Sequence, residues 1–537
     1  MSASPPVTSR PKSRITFSAQ ARIMLMTVLA VGGCRAPAAD GSEGAIDRIS
    51  VAETEAAVTS ITAEDVAHRV ATMAHDSMKG RDTPGEGLEQ TAAWIASELR
   101  RLGLRGGGED GGFMQRYPLT ATLVDRERST FIVDSDTLPF GDDVLPATTS
   151  LVEDQRTGEL VVVSGLNPLS GSARTRLRGN HVLLLAPTGS RGEREVRRAI
   201  ADLVDAGALT VSIMGAVREA DWAATATAIH TPAYTRAWGR QSSASVDPDI
   251  RLYVRRAAME RLLVDRDLDF EALAEGTGSG SALTETGVRL TVTTRMRQDS
   301  TTAPNVIGVL EGRDPELRDE YVVFSAHMDH VGVGAPDESG DSIFNGADDD
   351  ASGTAAVIEV AEAMASLPSG LRRSMIFLLV SGEEKGLWGS EWYTEHPAVP
   401  IDAHVANLNA DMVGRNWPDT IVAIGKEHSD LGATLERVNA GHPELGMTAI
   451  DDLWPEERFY FRSDHFNFAR NGVPVLFFFN GTHPDYHGRD DEPDRIDSEK
   501  AARIAKLMFH LGVEIGERQE APVWNPESYE RIVTQSR

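Results

Sequence analysis

Four short apolar runs punctuate the second half of the chain, and each gives way at once to an acid or leads towards a histidine. Residues 321–326 (YVVFSA) are β-branched and aromatic and end on His327, the pattern of a buried strand. Residues 375–380 (MIFLLV) run into Ser381, Gly382 and the pair Glu383 and Glu384, and Gly386 then favours a turn. Residues 405–410 (VANLNA) lead into Asp411, and residues 473–479 (VPVLFFF) lead through Asn480 and Gly481 towards His487. Between the first two runs, residues 352–367 carry Ala356, Val357, Val360, Ala361 and Met364 at helical spacing, which puts Asp349 in the loop just before a helix. Strands alternating with helices predict an α/β fold, a mostly parallel central sheet flanked by helices. Such sheets place their chemistry at the carboxyl ends of the strands.

The residue types at those ends suit a two-metal hydrolase. Zinc is held by imidazole nitrogen and carboxylate oxygen, and a catalytic site keeps one position open. Two ions roughly 3.5–4 Å apart need a bridging ligand, and an aspartate such as Asp349 has an oxygen for each. In the Glu383 and Glu384 pair, one carboxylate can ligate while its neighbour moves a proton. A ligating imidazole also needs its second nitrogen anchored, and Asp329 leaves the same strand end as His327. Taken singly, each feature has a plain reading: the Glu pair as a solvated face, residues 348–350 as an acidic turn before a helix, His465 or His483 as a surface or supporting histidine. It is their joint order along the chain that points to a metal centre.

The stretches SAHMDH (325–330), NGADDDASGTAAVIEVA (345–361), SGEEKGLWGS (381–390), NADMVG (409–414), SDHFNFARNGVPVLFF (463–478) and HPDYHGRDDEPDRI (483–496) resemble the co-catalytic di-zinc aminopeptidase family, which includes bacterial leucyl aminopeptidases and glutamate carboxypeptidase II. Residues 78–104 resemble the segment that precedes the catalytic sheet in that family. The resemblance implies two zinc ions per chain, one held by His327, Asp349 and Asp411 and the other by Asp349, Glu384 and His487. It implies Glu383 as general base and acid, Asp329 as the group orienting His327, and Tyr486 as a hydroxyl near the reacting carbonyl. It also implies a cis peptide between Asp349 and Asp350.

The remaining sequence divides around this block. Residues 62–122 are read as the amino-terminal part of the catalytic domain, 291–518 as its body and 519–537 as a tail. Residues 123–290 hold a different series of strands (TFIVD, ELVVVSG, HVLLLAP), and GELVVVSG, RGNHVLLLAP and AGA make them resemble an inserted, β-rich protease-associated domain. At the amino terminus, Arg10, Lys12, Arg14 and Arg22 precede an apolar stretch (23–31) too short to span a bilayer, as in a signal peptide over 1–33. Val31, Gly32, Gly33 and Cys34 resemble a bacterial lipobox with Val31 in place of leucine, and Cys34 is the chain's single cysteine. Residues 34–61 are then expected to be a flexible tether. The chain would be extracytoplasmic, either anchored to a membrane surface through Cys34 or secreted or periplasmic.

The net charge of −28 over 537 residues argues against nucleic acid as a partner, and the resemblance implies peptides or proteins as substrates. The expected activity is that of a zinc exopeptidase, an aminopeptidase ahead of a carboxypeptidase or dipeptidase on the same site. A receptor-like binding protein of the same fold is the reading from another class, and the full set of ligands and base speaks against it. Oligomeric state is not legible.

Overall fold

The four apolar runs become the strands Tyr321–His327, Ser374–Val380, His404–Asp411 and Val475–Phe479, side by side and parallel. All seven residues of Ser374–Val380 are buried, and a continuous apolar run is what a strand covered on both faces needs. Alternate residues go to opposite sides. Val322, Phe324, Met375 and Phe377 join one core, whereas Val323, Ile376, Leu378 and Phe477 join another, as the two-residue period of a strand dictates. The first core is closed by helices Ala63–Met73, Glu86–Arg101, Gly353–Ala365 and Ser498–Glu517. Apart from Glu362 and Ala365, every residue of Gly353–Ala365 is buried. The second core is aromatic, with Phe459, Phe468 and Phe479. The structure, a computed structural model, describes residues 48–147, 152–186, 193–229, 231–239, 250–264, 268–275 and 281–535. The signal-peptide reading and Cys34 lie outside the described residues. Among the described residues no helix is long and apolar enough to cross a membrane.

The sheet as a whole is mixed, which corrects the expectation of a mostly parallel one. Met296–Leu310 runs antiparallel to Ser374–Val380, Met114–Val124 antiparallel to Met296–Leu310, and Thr420–Ile424 antiparallel to Val475–Phe479. Only residues 412–419 join His404–Asp411 to Thr420–Ile424, too few for the crossover of a dozen or more residues that a parallel return requires.

A second sheet of eight strands forms from residues 130–294. Its strands Asp154–Ser164, His181–Leu185, Thr210–Met214 and Ile250–Val254 are parallel neighbours, and helices Gly171–Leu177 and Glu193–Asp205 lie between them in sequence. This part is therefore α/β in character rather than simply β-rich. Nor is it a closed insertion. Ala233–Arg236 pairs with Met114–Val124 in the main sheet, and Trp238 packs edge-on against Tyr117 and Trp392.

Regular structure is present in the described parts of two terminal segments, residues 48–61 of the expected tether and residues 519–535 of the tail. Within 34–61, Val51–Val58 is a helix whose Ser50 and Glu53 form a capping box, Ile49 donates its N–H to Glu517 at 3.0 Å, and Ile61 is fully buried. Its Ala- and Glu-rich composition imitates disorder, but the cap and the neighbouring helix stabilise it. Within 519–537, Pro526–Tyr529 is helical, Ile532 and Val533 are buried, and Trp524 Nε1 donates to the Gly472 carbonyl at 2.8 Å.

Candidate metal centre

The three consecutive aspartates 348–350 divide their work by direction. Asp350 faces inward and accepts from the N–H groups of His327 (3.1 Å), Met412 (3.1 Å) and Gly353 (2.9 Å). It thereby ties two strand ends to the start of the Gly353–Ala365 helix. Asp348 accepts from the Gly414 N–H at 2.6 Å and the Ser352 hydroxyl at 3.0 Å. Asp349 is left to face the cleft, its own N–H held by Asp491 at 3.1 Å. The peptide between Asp349 and Asp350 is cis, in line with the resemblance. Gly346 precedes the turn at φ +58°, where a Cβ would meet the Asp349 carbonyl oxygen at 2.3 Å and the His330 ring at 2.5 Å; only glycine fits there.

Asp349 stands between two groups of donors. Its Oδ1 lies 3.3 Å from His327 Nε2, which is in turn 3.6 Å from Asp411 Oδ1. Its Oδ2 lies 3.1 Å from His487 Nε2, which is 3.2 Å from Glu384 Oε2. The other oxygen of Asp411 accepts from the Ser463 hydroxyl at 2.9 Å, which leaves Oδ1 free to face inward. Four strands and the loops after them deliver these groups to one edge, as the sequence order implied. His487 adopts a left-handed φ of 53°, a conformation uncommon for a side chain with a Cβ and found where the surroundings enforce it.

The chemistry of this donor set fits divalent cations. Five ligand-type side chains converge, and the buried Glu384 Oε1 has no hydrogen-bond partner, a costly state unless something else satisfies it. Burial alone would lower the pKa of His327, but Asp411 and Asp349 reverse this and hold it well above the ordinary range. His487 is likewise opposed by burial, yet Asp349 and Glu384 raise it to about 10. The carboxylates therefore draw positive charge into the site, and metal ions supply it more densely than protons do.

Glu383 lines the same cleft as His327, Asp349, Asp411 and Tyr486, a space of ≈ 50 Å³, enough for a few water molecules at roughly 10–15 Å³ each. Burial is the largest influence on its carboxyl, His327 opposes it, and Asp464, Asp411 and Glu384 add to it, so the group is held well above the usual range. A carboxylate tuned upward is suited to accept and return a proton near neutral pH. Gly382 before it sits at φ +73°, where a Cβ would press on the Tyr117 hydroxyl at 2.7 Å. Burial, followed by the acids around it, raises Tyr486, which keeps its hydroxyl proton.

Asp329 differs in detail from its expected part. His327 Nδ1 lies 3.2 Å from the Asp329 backbone carbonyl and 3.8 Å from its carboxylate, so the main chain is the nearer anchor. The carboxylate instead accepts from the Thr83 hydroxyl at 2.9 Å and the Glu383 N–H at 3.3 Å. It positions the glutamate loop as much as the histidine.

Two residues escaped the sequence reading. His330 is fully buried with Nδ1 2.9 Å from Glu384 Oε1 and 3.7 Å from Asp349 Oδ2, although the first approach lacks hydrogen-bond alignment. Its signal was present in SAHMDH, as a second histidine three positions after the first. Arg81 is also fully buried and donates to the carbonyls of Met328 (2.8 Å), Met73 (2.9 Å), Asn345 (2.6 Å) and Gly346 (2.8 Å). One guanidinium thus joins the His327 strand end to the loop that carries Asp349. Arg81→Met is expected to cost more than about 3 kcal/mol, because each buried carbonyl left unsatisfied costs roughly 1–3 kcal/mol. The midpoint of urea unfolding checks this, with Arg81→Lys recovering only part, since an ammonium cannot reproduce the fork. An unchanged midpoint for the methionine variant would contradict the role.

Comparison with known proteins bears on residues 305–512, which match the model of Peptidase family M28. Aminopeptidase YwaD of Bacillus subtilis is 26% identical over 232 residues, 41% of this chain and 46% of the relative. Leupeptin-inactivating enzyme 1 of Streptomyces exfoliatus is 29% identical over 181 residues, 34% of this chain and 36% of the relative. The chain thus spans less than half the length of these relatives. Among solved structures, BSAP, a zinc aminopeptidase from Bacillus subtilis, aligns over 86% of this chain and 97% of its own at 16% identity and a TM-score of 0.48. The matched residues run from the strand beside Ser374–Val380 to the helix Ser498–Glu517 and include every side chain that converges on Asp349. Residues 305–512 are a Peptidase family M28 domain, of the co-catalytic di-zinc aminopeptidase superfamily.

Proposed function

We propose that this protein is a zinc-dependent exopeptidase that releases residues from the amino termini of peptides. The observation that carries the reading is the placement of Asp349, with one oxygen towards His327 and Asp411 and the other towards His487 and Glu384. On this reading His327, Asp349 and Asp411 would hold one zinc ion, Asp349, Glu384 and His487 a second, and Asp349 would bridge. Zinc, when bound, supplies Lewis acidity, polarising a carbonyl and making water a better nucleophile at neutral pH.

The chain's own groups do the rest. Glu383 takes a proton from the attacking water and returns it to the departing amine. The Tyr486 hydroxyl, kept protonated by its acidic surroundings, donates towards the charge that develops on the carbonyl oxygen. Asp329 holds the Glu383 backbone in place. The names of the relatives support the amino-terminal direction. The same donor set serves equally well for removal of carboxy-terminal residues. The signal and lipobox-like segments support an extracytoplasmic, surface-anchored location, and the resemblance of 158–187 supports a protease-associated character for the second sheet.

Incubating residues 35–537 with zinc and a mixed peptide pool, read by mass spectrometry, tests the activity. Stepwise loss from amino termini is expected. Loss from carboxyl termini alone would retain the metal chemistry and overturn the direction, and no cleavage by zinc-loaded protein would count against the enzyme.

A further inference from the structure

A second group of metal-ligand side chains lies apart from the cleft. His442 precedes the turn Pro443–Leu445 and Glu444 lies within it, just after the helix Leu431–Gly441, and His510 comes from the helix Ser498–Glu517. None of the three lines the cleft. His442 Nδ1 lies 2.8 Å from Glu444 Oε1, the His442 and His510 rings stack with centroids 3.6 Å apart, and one ligand atom from each residue falls within 4.8 Å of the others.

We propose that His442, Glu444 and His510 form a separate binding site for a d-block divalent cation of the zinc type, which clips the end of the Leu431–Gly441 helix to the Ser498–Glu517 helix. Two imidazoles and one carboxylate select zinc-like ions over calcium or magnesium, which prefer all-oxygen sites. Metal–nitrogen bonds of about 2.0–2.1 Å place tetrahedral ligand atoms roughly 3.3 Å apart, so the atoms, now within 4.8 Å of one another, must draw together and the His442 ring must turn out of its stack to aim its lone pair at the ion. The side chains that must turn are free to do so: 32% of His442 and 62% of Glu444 is exposed. His510 is the fixed member, at 8% exposure. A simple His442–Glu444 ion pair would account for the 2.8 Å contact but not for a second imidazole, that of His510, brought against the His442 ring. The turn geometry supports a built site, because Pro443 fixes the backbone between the two ligands it separates.

The full chain, equilibrated by dialysis against a fixed low-micromolar concentration of free zinc, would be compared with His442→Ala and Glu444→Gln by metal analysis. Both substitutions are at surface positions and leave the core intact. Each variant is expected to hold about one zinc fewer per chain than the parent, with peptidase activity unchanged. Equal zinc contents would overturn the site. The same comparison in a His327→Ala, His487→Ala background separates it from the cleft: zinc should still raise the thermal midpoint there, and adding His442→Ala should remove that rise. No rise in that background would also overturn it.

Discussion

Glu383→Ala is expected to lower kcat by about 10²–10⁴-fold, the usual contribution of a positioned general acid–base group, with KM and bound zinc little changed. The reason lies in how the residue is held. Its backbone N–H is fixed by Asp329 and its carboxyl is tuned by burial and neighbouring acids, so removal of the side chain deletes the proton shuttle and spares the scaffold. Glu383→Gln keeps the shape and should lose as much, because an amide cannot accept and return the proton. Steady-state kinetics beside metal analysis decides the matter. A loss of less than tenfold, or a parallel loss of zinc, would remove Glu383 from the proposed role.

Asp349→Ala is expected to act differently, lowering kcat/KM by at least about 10³-fold together with a fall in bound zinc. Lewis-acid stabilisation is worth several kcal/mol, and 1.36 kcal/mol is a factor of ten in rate. Asp349 faces both donor groups, so its removal affects both at once, whereas Asp411→Ala or His487→Ala would weaken one. Metal titration of the three variants checks the ordering. If Asp349→Ala retained as much zinc as the single-side variants, the bridging assignment would fail.

The legible part of the protein was the part whose signal is local. The strands around His327, Glu383, Asp411 and His487 are buried on both faces, and continuous apolar runs announce that directly. The helix Gly353–Ala365 showed its period, and the acids at 348–350 showed their position before it. Less legible were features set by distant partners. The capping box at Ser50 was written in the sequence, but the burial of Ile61 depends on helices far along the chain. Arg81 reads as an ordinary surface arginine until carbonyls from three separate segments surround it.

The sequence by itself determined which residues could do chemistry, in what order, and at which edge of a sheet, because strand period, strand ends and residue type are local properties. The resemblance singled out Asp349, but only the tertiary structure gave the physical reason that it, and not Asp348 or Asp350, faces the cleft, since all three are aspartates in one turn and differ in the N–H groups that surround them. The tertiary structure also decided that Asp329 reaches the Glu383 loop, that His330 joins the cluster, and that Ala233–Arg236 returns to the main sheet. Each depends on contacts between segments far apart in the chain, where no pattern of neighbouring residues carries the information.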